Sequence, residues 1–226
     1  MFGVAANTSM AWRRRQLPAW WADAKRVDVA VYDAIVHTPT PSLDREMSRL
    51  TQAADYSRLW LVSAAILAAT RGDRGRRAAV TGLASVAVTS AVANLVIKPL
   101  GRRRRPDPSG APATRRAPMP ASTSFPSGHA ASAFAFATGV GSVLPRDAIP
   151  IRALAAIVAE SRVHTGVHYP ADVIAGALLG TTLAQITARA LDAGRRSPVI
   201  AGAATPRAGR MRGSCVAPLE AIDRLR

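Results

Sequence analysis

Residues 78–97 read AAVTGLASVAVTSAVANLVI, a run of twenty positions without a charge. Wound as an α-helix at ~1.5 Å per residue it is roughly 30 Å long, the thickness of the hydrocarbon core of a bilayer. Arg76 and Arg77 stand before the run and Lys98 after it, so its ends are marked by cations. The run is built mainly from Ala, Val, Thr and Ser and contains no aromatic residue. Small side chains of this kind let helix backbones approach closely where lipid supplies no hydrophobic drive to associate. The stretch predicts a membrane-spanning helix, and the fold class that follows is all-α, an integral-membrane helical bundle.

Further spans appear on either side. About Ala53–Thr70 is a span whose fully apolar part, Leu59–Thr70, is short, and Arg71–Arg77 reads as a tight charged turn. Gly128–Leu144 is the next span, closed by Pro145, then a short apolar helix Ile149–Ala159, then Pro170–Leu191. Within the last, Gly176-x3-Gly180 is the small-x3-small pattern of closely packed helices. Residues 98–125 form a loop rich in Pro, Gly, Ser and Arg. The stretch 19–36 mixes Trp20, Trp21, Val27, Val31 and Ile35 with Asp23, Lys25, Arg26, Asp28 and Asp33. Spanning would bury those charges at about 2.5–3.5 kcal/mol each near the bilayer centre. It reads instead as an amphipathic helix in the interface, followed after Thr38–Pro41 by a second over roughly 42–55. The division expected is an arm with interfacial helices over 1–52, a membrane domain over 53–191 and a basic disordered tail over 192–226. That makes five spans, or six if 19–36 crosses.

Composition limits the function classes. The 226 residues are 49% hydrophobic and 5% aromatic, with a net charge of +16. The excess of Arg lies in the N-terminal arm, short loops and tail, which suits anionic lipid head groups and gives no reason to expect nucleic acid as a partner. A lone Cys215 excludes an internal disulfide and a multi-cysteine zinc site. Residues 1–18 hold Arg13, Arg14 and Arg15 but no apolar core of the length a secretory signal needs.

Three short segments stand out against the apolar background. They are Lys98-x6-Arg105-Pro106, Pro126-Ser127-Gly128-His129, and Ser161-Arg162-x5-His168-x3-Asp172. Three of the four histidines fall in or beside the last two, the other being His37. Counting spans, all three segments come to one face of the membrane, and ionisable residues gathered at helix ends point to a functional site. Lys98, Arg105 and Arg162 can surround phosphate oxygens, Arg with a planar two-oxygen fork. Ser127 can cap the helix opening at Gly128, whose free N–H groups form an anion site. His168 can attack phosphorus through an unprotonated nitrogen while Asp172 accepts the other ring N–H. His129 is then the general acid for the departing oxygen.

Together these segments resemble the three-part signature of the type 2 phosphatidic acid phosphatase superfamily, complete in residue type and spacing over roughly 53–191. The resemblance implies a helical bundle with its site at one bilayer face. It also implies cofactor- and metal-free hydrolysis of a lipid phosphomonoester through a phosphohistidine, with His168 as nucleophile. The usual six-span form of that family has a first helix that is here missing or reduced to the charged stretch 19–36. The basic turn Arg71–Arg77 and the tail sharing one face suggest, by the positive-inside rule, a cell-membrane protein with an outward-facing site.

Blander readings apply to the other charges. Arg102, Arg103 and Arg104 lie out of motif register and read as a lipid-facing basic patch, and Asp55 and Asp107 as solvated or interfacial charges. Arg115 and Arg116 fit a head-group clamp or a solvated loop equally. His164, His168 and Asp172 have i, i+4, i+8 spacing, which on one helix would stack three metal ligands. Gly166 and Pro170 interrupt that stretch, so a helix beginning near Pro170 would disperse them. A vanadate-binding haloperoxidase relative would share the pocket, but such relatives are soluble, unlike a chain carrying the 78–97 run. A non-enzymatic scaffold for anionic lipid explains the charge and not the three segments.

Overall fold

A computed structural model describes residues 18–101 and 103–196, and among these it contains helices, turns and loops but no strand. The helices are α1 (Ala19–His37), α2 (Pro41–Ala53), α3 (Arg58–Thr70) and α4 (Gly72–Ala91). The axis of α4 continues through π-helical turns at Val92–Ile97 into the short α5 (Lys98–Leu100). After a long loop come α6 (Gly128–Gly141), α7 (Ala148–His164) and α8 (Pro170–Arg196). Residues 1–17, Arg102 and 197–226, which include Arg13–Arg15, Cys215 and most of the expected tail, lie outside the described residues.

Helix α6 is the hub of the bundle. Ala130, Ala131, Ala133, Ala135, Phe136, Ala137 and Val140 are all buried, so nearly every face of α6 meets another helix. Ala and Gly make this possible, because a helix buried all round must have neighbours at backbone distance. A methyl added at Gly176 of α8 would collide with the Ser127 carbonyl, and one at Gly180 with the Ala131 carbonyl. The small-x3-small pattern is therefore the α6–α8 contact. On the opposite side Gly82 of α4 leaves room for the Phe136 ring, 2.9 Å from where a Cβ would stand. Trp60 of α3 packs its ring 5.5 Å from Phe136, centroid to centroid. Gly72–Leu100 and Pro170–Arg196 are long and apolar enough to cross a membrane by length and composition.

Several boundaries differ from those the sequence suggests. The helix expected to begin near Ala53 begins at Arg58, because Tyr56 and Ser57 take positive φ (55° and 60°) and break the backbone direction there. The charged stretch Arg71–Arg77 is not a turn. Only Arg71 separates the helices, Gly72 at φ +55° makes the reversal, and Asp73–Arg77 open α4, exposed except for Gly75, which packs against the end of α3. Helix α7 runs on to His164, and α8 continues through residues 192–196, which the sequence reading placed in a disordered tail. His164 ends α7 and α8 starts at Pro170, so His164, His168 and Asp172 do not share a helical face.

Helix α2 is inverted relative to the interfacial reading. Its buried side is polar, carrying Asp44, Ser48 and Thr51 against the end of α7, while Leu43 is exposed. Arg115 from the long loop fills the gap and is completely buried. Its guanidinium donates to Asp44 Oδ1 at 2.8 Å, to the carbonyls of Ile35, Val36 and Thr38, and to Thr40 Oγ1. His164 Nε2 lies 3.0 Å from the same Asp44 oxygen. Burial alone would raise the Asp44 carboxyl, but hydrogen bonds from Thr40, Arg115 and His164 outweigh it and hold it below its ordinary range. Arg115 is thus neither a head-group clamp nor a solvated charge. It stitches the α1–α2 elbow to α7.

The glycine contacts make a direct prediction. Ala is a better helix former than Gly by about 1 kcal/mol, yet Gly180→Ala should lower the thermal midpoint in detergent, because overpacking against a backbone carbonyl costs about 1–3 kcal/mol. Gly194→Ala, where a Cβ meets nothing within 4 Å, should hold or raise the midpoint. Equal gains from both variants would contradict the α6–α8 packing.

Candidate active site

The three sequence segments converge where α5 ends, α6 and α8 begin, and α7 finishes. The loop 101–127 closes over them. Ser127 is the N-cap of α6, its Oγ accepting from the Ala130 N–H at 3.5 Å. Its own N–H donates to the Asp172 carbonyl at 2.9 Å, tying the start of α6 to the start of α8. Gly128 leaves the helix N-terminus open toward Lys98, whose Nζ lies 3.6 Å from where a Cβ would stand. An ammonium thus faces the free N–H groups of the first turn, an arrangement that favours an anion between them.

Arg105 is held from behind and aimed at His168. Its Nε donates to the Ser122 carbonyl at 2.8 Å, and its Nη1 donates to the Val167 carbonyl at 2.9 Å. The same Nη1 is 3.1 Å from His168 Nε2. Arginine has no acceptor atom, so this contact needs a lone pair on Nε2 and puts the imidazole proton on Nδ1. Nδ1 faces Ser124 Oγ at 3.5 Å and Asp172 Oδ2 at 3.7 Å. The latter is an electrostatic contact, longer than a hydrogen bond. Ser124 Oγ donates to Asp172 Oδ2, as does the Tyr169 N–H at 3.0 Å. Burial pushes His168 down to about 4. The Asp172 carboxylate opposes that shift, and the Arg105 and Arg162 cations add to it. His168 is therefore a neutral base with its free nitrogen turned toward cations.

His129, one residue into α6, has Nε2 2.8 Å from Asp55 Oδ1. A carboxylate only accepts, so Nε2 carries a proton here. Lys98, Gly128 and His129, with Asn94, Tyr56 and Ser132, line a cavity of about 140 Å³. At ~30 Å³ per water molecule it has room for four or five. Arg162 is almost fully buried behind it. Its Nη1 donates to Thr51 Oγ1 at 2.7 Å, and its Nε has no hydrogen-bond partner. His129 lies within electrostatic reach of Arg162 and His168, and Lys98 of Arg105, so the eight residues form one constellation.

Four residues in or beside this constellation were not foreseen in their roles. Asp55, still partly exposed, is the partner of His129 and not a charge held by solvent alone. Arg103 is not a lipid-facing cation. It bridges Asp28 and Asp172 and stacks on Tyr169. Ser124 and Thr51 belong to no motif. They hold Asp172 and Arg162 through hydroxyl groups, which no spacing rule singles out.

A family model described as the PAP2 superfamily matches residues 78–196. Decaprenylphosphoryl-5-phosphoribose phosphatase of Mycobacterium tuberculosis is 35% identical over 164 residues, 71% of this chain and 86% of that protein. Lipid A 1-phosphatase of Rhizobium etli is 28% identical over 190 residues, 74% and 80% of the two chains. Among solved structures, a transmembrane PAP2 type phosphatidylglycerolphosphate phosphatase from Bacillus subtilis superposes with a TM-score of 0.56 at 25% identity. The match covers 76% of this chain and 87% of that one. Aquifex aeolicus LpxE superposes with a TM-score of 0.58 at 22% identity over 72% and 95%, a likeness of fold.

The His168 environment can be tested by titration. NMR of the ring nitrogens should place its midpoint near 4 instead of the ordinary 6.5. The folded chain then binds this proton less readily than the unfolded chain. Its contribution to stability is complete above pH 6.5, falls as pH drops toward 4, and loses nothing more below that. A midpoint at or above 6.5 would contradict the buried, cation-facing geometry.

Proposed function

Because this chain belongs to the PAP2 superfamily, we propose that the constellation around His168 is the active site of a membrane lipid phosphatase. The observation that carries the reading is His168 itself. Its Nε2 is deprotonated and points into a cluster of cations, with a carboxylate behind its other nitrogen. In this reading Lys98, Arg105, Arg162 and the N–H groups after Ser127 and Gly128 bind the phosphate of a lipid phosphomonoester. Nε2 of His168 attacks phosphorus and a P–N bond forms as the P–O bond to the lipid breaks. His129 gives its proton to the departing alkoxide. Water then loses a proton to His129 and displaces His168 from phosphorus, releasing inorganic phosphate.

Asp172 supports the charge that develops on His168, and the fixed cations stabilise the transition state, commonly the largest catalytic contribution. Three cations gathered at the site, Lys98, Arg105 and Arg162, supply the neutralisation that a divalent metal would otherwise bring, so the reaction is metal-independent. The three positive side chains also repel such a metal.

The membrane arrangement belongs to the same proposal. Helices α3, α4, α6, α7 and α8 form a multi-pass bundle of five spans in the cell membrane, α1 lies in the interface, and anionic head groups meet the basic loops. Exposed Leu61, Val62 and Ile66 on α3 and Ile174, Leu178 and Ile186 on α8 support lipid contact on the outside. Helix α6 has only 14 residues, or about 21 Å, but its neighbours enclose it and its ends need not reach the bilayer surfaces. The site opens at one face, taken as outward on the basic opening of α4 at the other. The domain division is arm and interfacial helices, membrane phosphatase domain, then basic tail. The Mycobacterium relative makes a polyprenyl-linked phosphosugar the first substrate to try, with phosphatidylglycerol phosphate and phosphatidic acid beside it.

The test is turnover of that panel by purified protein in detergent. Phosphate release should survive EDTA and stop with vanadate, and a strict need for added divalent metal would overturn the mechanism. His168→Ala should abolish release from every substrate. His129→Ala should lose about 10²–10⁴-fold with an alkyl leaving group and regain part of that with p-nitrophenyl phosphate. Equal losses from His129→Ala on both substrates would remove it from the general-acid role.

A further inference from the structure

Asp172 has two carboxylate oxygens with separate duties. Oδ2 takes the Ser124 hydroxyl and the Tyr169 N–H and is the oxygen nearest His168 Nδ1, at 3.7 Å. Oδ1 is taken by Arg103 Nη1 at 2.9 Å. The other arm of that guanidinium, Nη2, is paired with Asp28 Oδ2 of α1. Asp28 Oδ1 in turn accepts the N–H of Ala171, the neighbour of Asp172, at 2.8 Å. The plane of Arg103 also lies over the Tyr169 ring, its Cζ 4.2 Å from the centroid. The side chains of Asp28 and Asp172 are 9% and 0% exposed, so these pairs are shielded from water and not loose surface contacts. Residue 28 lies outside the 78–196 matched by the family model.

Resting on the phosphatase reading above, we propose that Arg103, braced by Asp28, is a positioning residue for the reaction. It fixes Oδ1 of Asp172 so that Oδ2 stays turned to His168. A planar fork that meets one carboxylate with each arm can do this, whereas a lysine ammonium offers no such fixed geometry. Without it Asp172 is held only at Oδ2, by Ser124 and the Tyr169 N–H. The unpaired Oδ1 lets the carboxylate tilt, Oδ2 shifts from Nδ1, and the free lone pair of His168 is no longer reserved for Nε2. Helix α1 thereby becomes part of the catalytic assembly and not only an interfacial anchor. Tyr32 of α1 secures the same contact from the other side, its ring 5.2 Å from Tyr169 and its hydroxyl donating to the Gly166 carbonyl at 3.3 Å.

The experiment uses the full chain in detergent with p-nitrophenyl phosphate and an alkyl phosphate. Asp28→Asn and Arg103→Met should each lower kcat about 10- to 100-fold, the range for removing a group that orients a reacting one. KM should stay within about twofold and the loss should be equal for both leaving groups, since the nucleophile and not the acid is disturbed. Arg103→Lys should recover little. In an Asp172→Asn background Asp28→Asn should cost less than about twofold more, because the group it positions is already gone. Losses that multiply in the double variant, that fall on KM, or that track a lost folded fraction would overturn the proposal. The Nδ1 proton of His168, facing Ser124 Oγ at 3.5 Å and Asp172 Oδ2 at 3.7 Å and assigned by its absence in His168→Ala, gives a second readout. It should be present in wild type and lost in Asp28→Asn and Arg103→Met. If wild type hydrolyses nothing, the phosphatase reading fails, and this proton still decides whether Arg103 positions the pair.

Discussion

A carboxylate with no exposed surface must be matched by its neighbours, since an unpaired buried charge costs several kcal/mol. Asp172 is in that position. Its partners come from across the chain: Arg103 and Ser124 from the long loop, the Tyr169 N–H from the turn before α8, and His168 beside it. Its backbone carbonyl also receives the Ser127 N–H. Satisfying one residue therefore fixes the loop, the start of α6 and the histidine together. The Gly176 and Gly180 contacts make it possible, because they bring α8 to backbone distance from α6 at the height where the site forms.

The second organising feature is an excess of positive charge without a matching anion. Arg105 sits against a neutral histidine and backbone carbonyls, burial works against its charge, and Arg162 keeps an Nε–H with no partner. A protein holding cations this way has met their desolvation cost in advance. In the proposed reaction a dianionic phosphate would recover it on binding, with donors that need not reorganise. Burial, with the same cations, keeps His168 unprotonated, so in the proposed mechanism one arrangement serves both binding and nucleophile.

How much of this was legible in the sequence depends on the kind of signal. Lys98, Arg105, Ser127, Gly128, His129, Arg162, His168 and Asp172 were legible because their spacing is local and repeats a known signature. The long apolar helices over Gly72–Leu100 and Pro170–Arg196 were legible because hydropathy is a local sum. Asp55, Arg103 and Arg115 were not, since nothing near a charge in sequence says whether a partner waits 70 residues away. Asp44, Ser48 and Thr51 of α2 were misread for a related reason. A polar stripe defaults to solvent, and only the arrival of Arg115, Arg162 and His164 turns it inward. Helix ends were missed where backbone reversals occur at Tyr56 and Ser57, residues that carry no glycine or proline marker.

Covalent phosphorylation of His168 is the step on which the proposed mechanism turns. Purified protein mixed briefly with substrate carrying labelled phosphate, then denatured without acid, should retain label in a bond that is stable to base and labile to acid. Peptide mapping should place that label on His168, and it should be absent from His168→Ala. Label persisting in His168→Ala, or inversion of configuration with a chiral phosphate substrate, would mean direct attack by water and contradict the account.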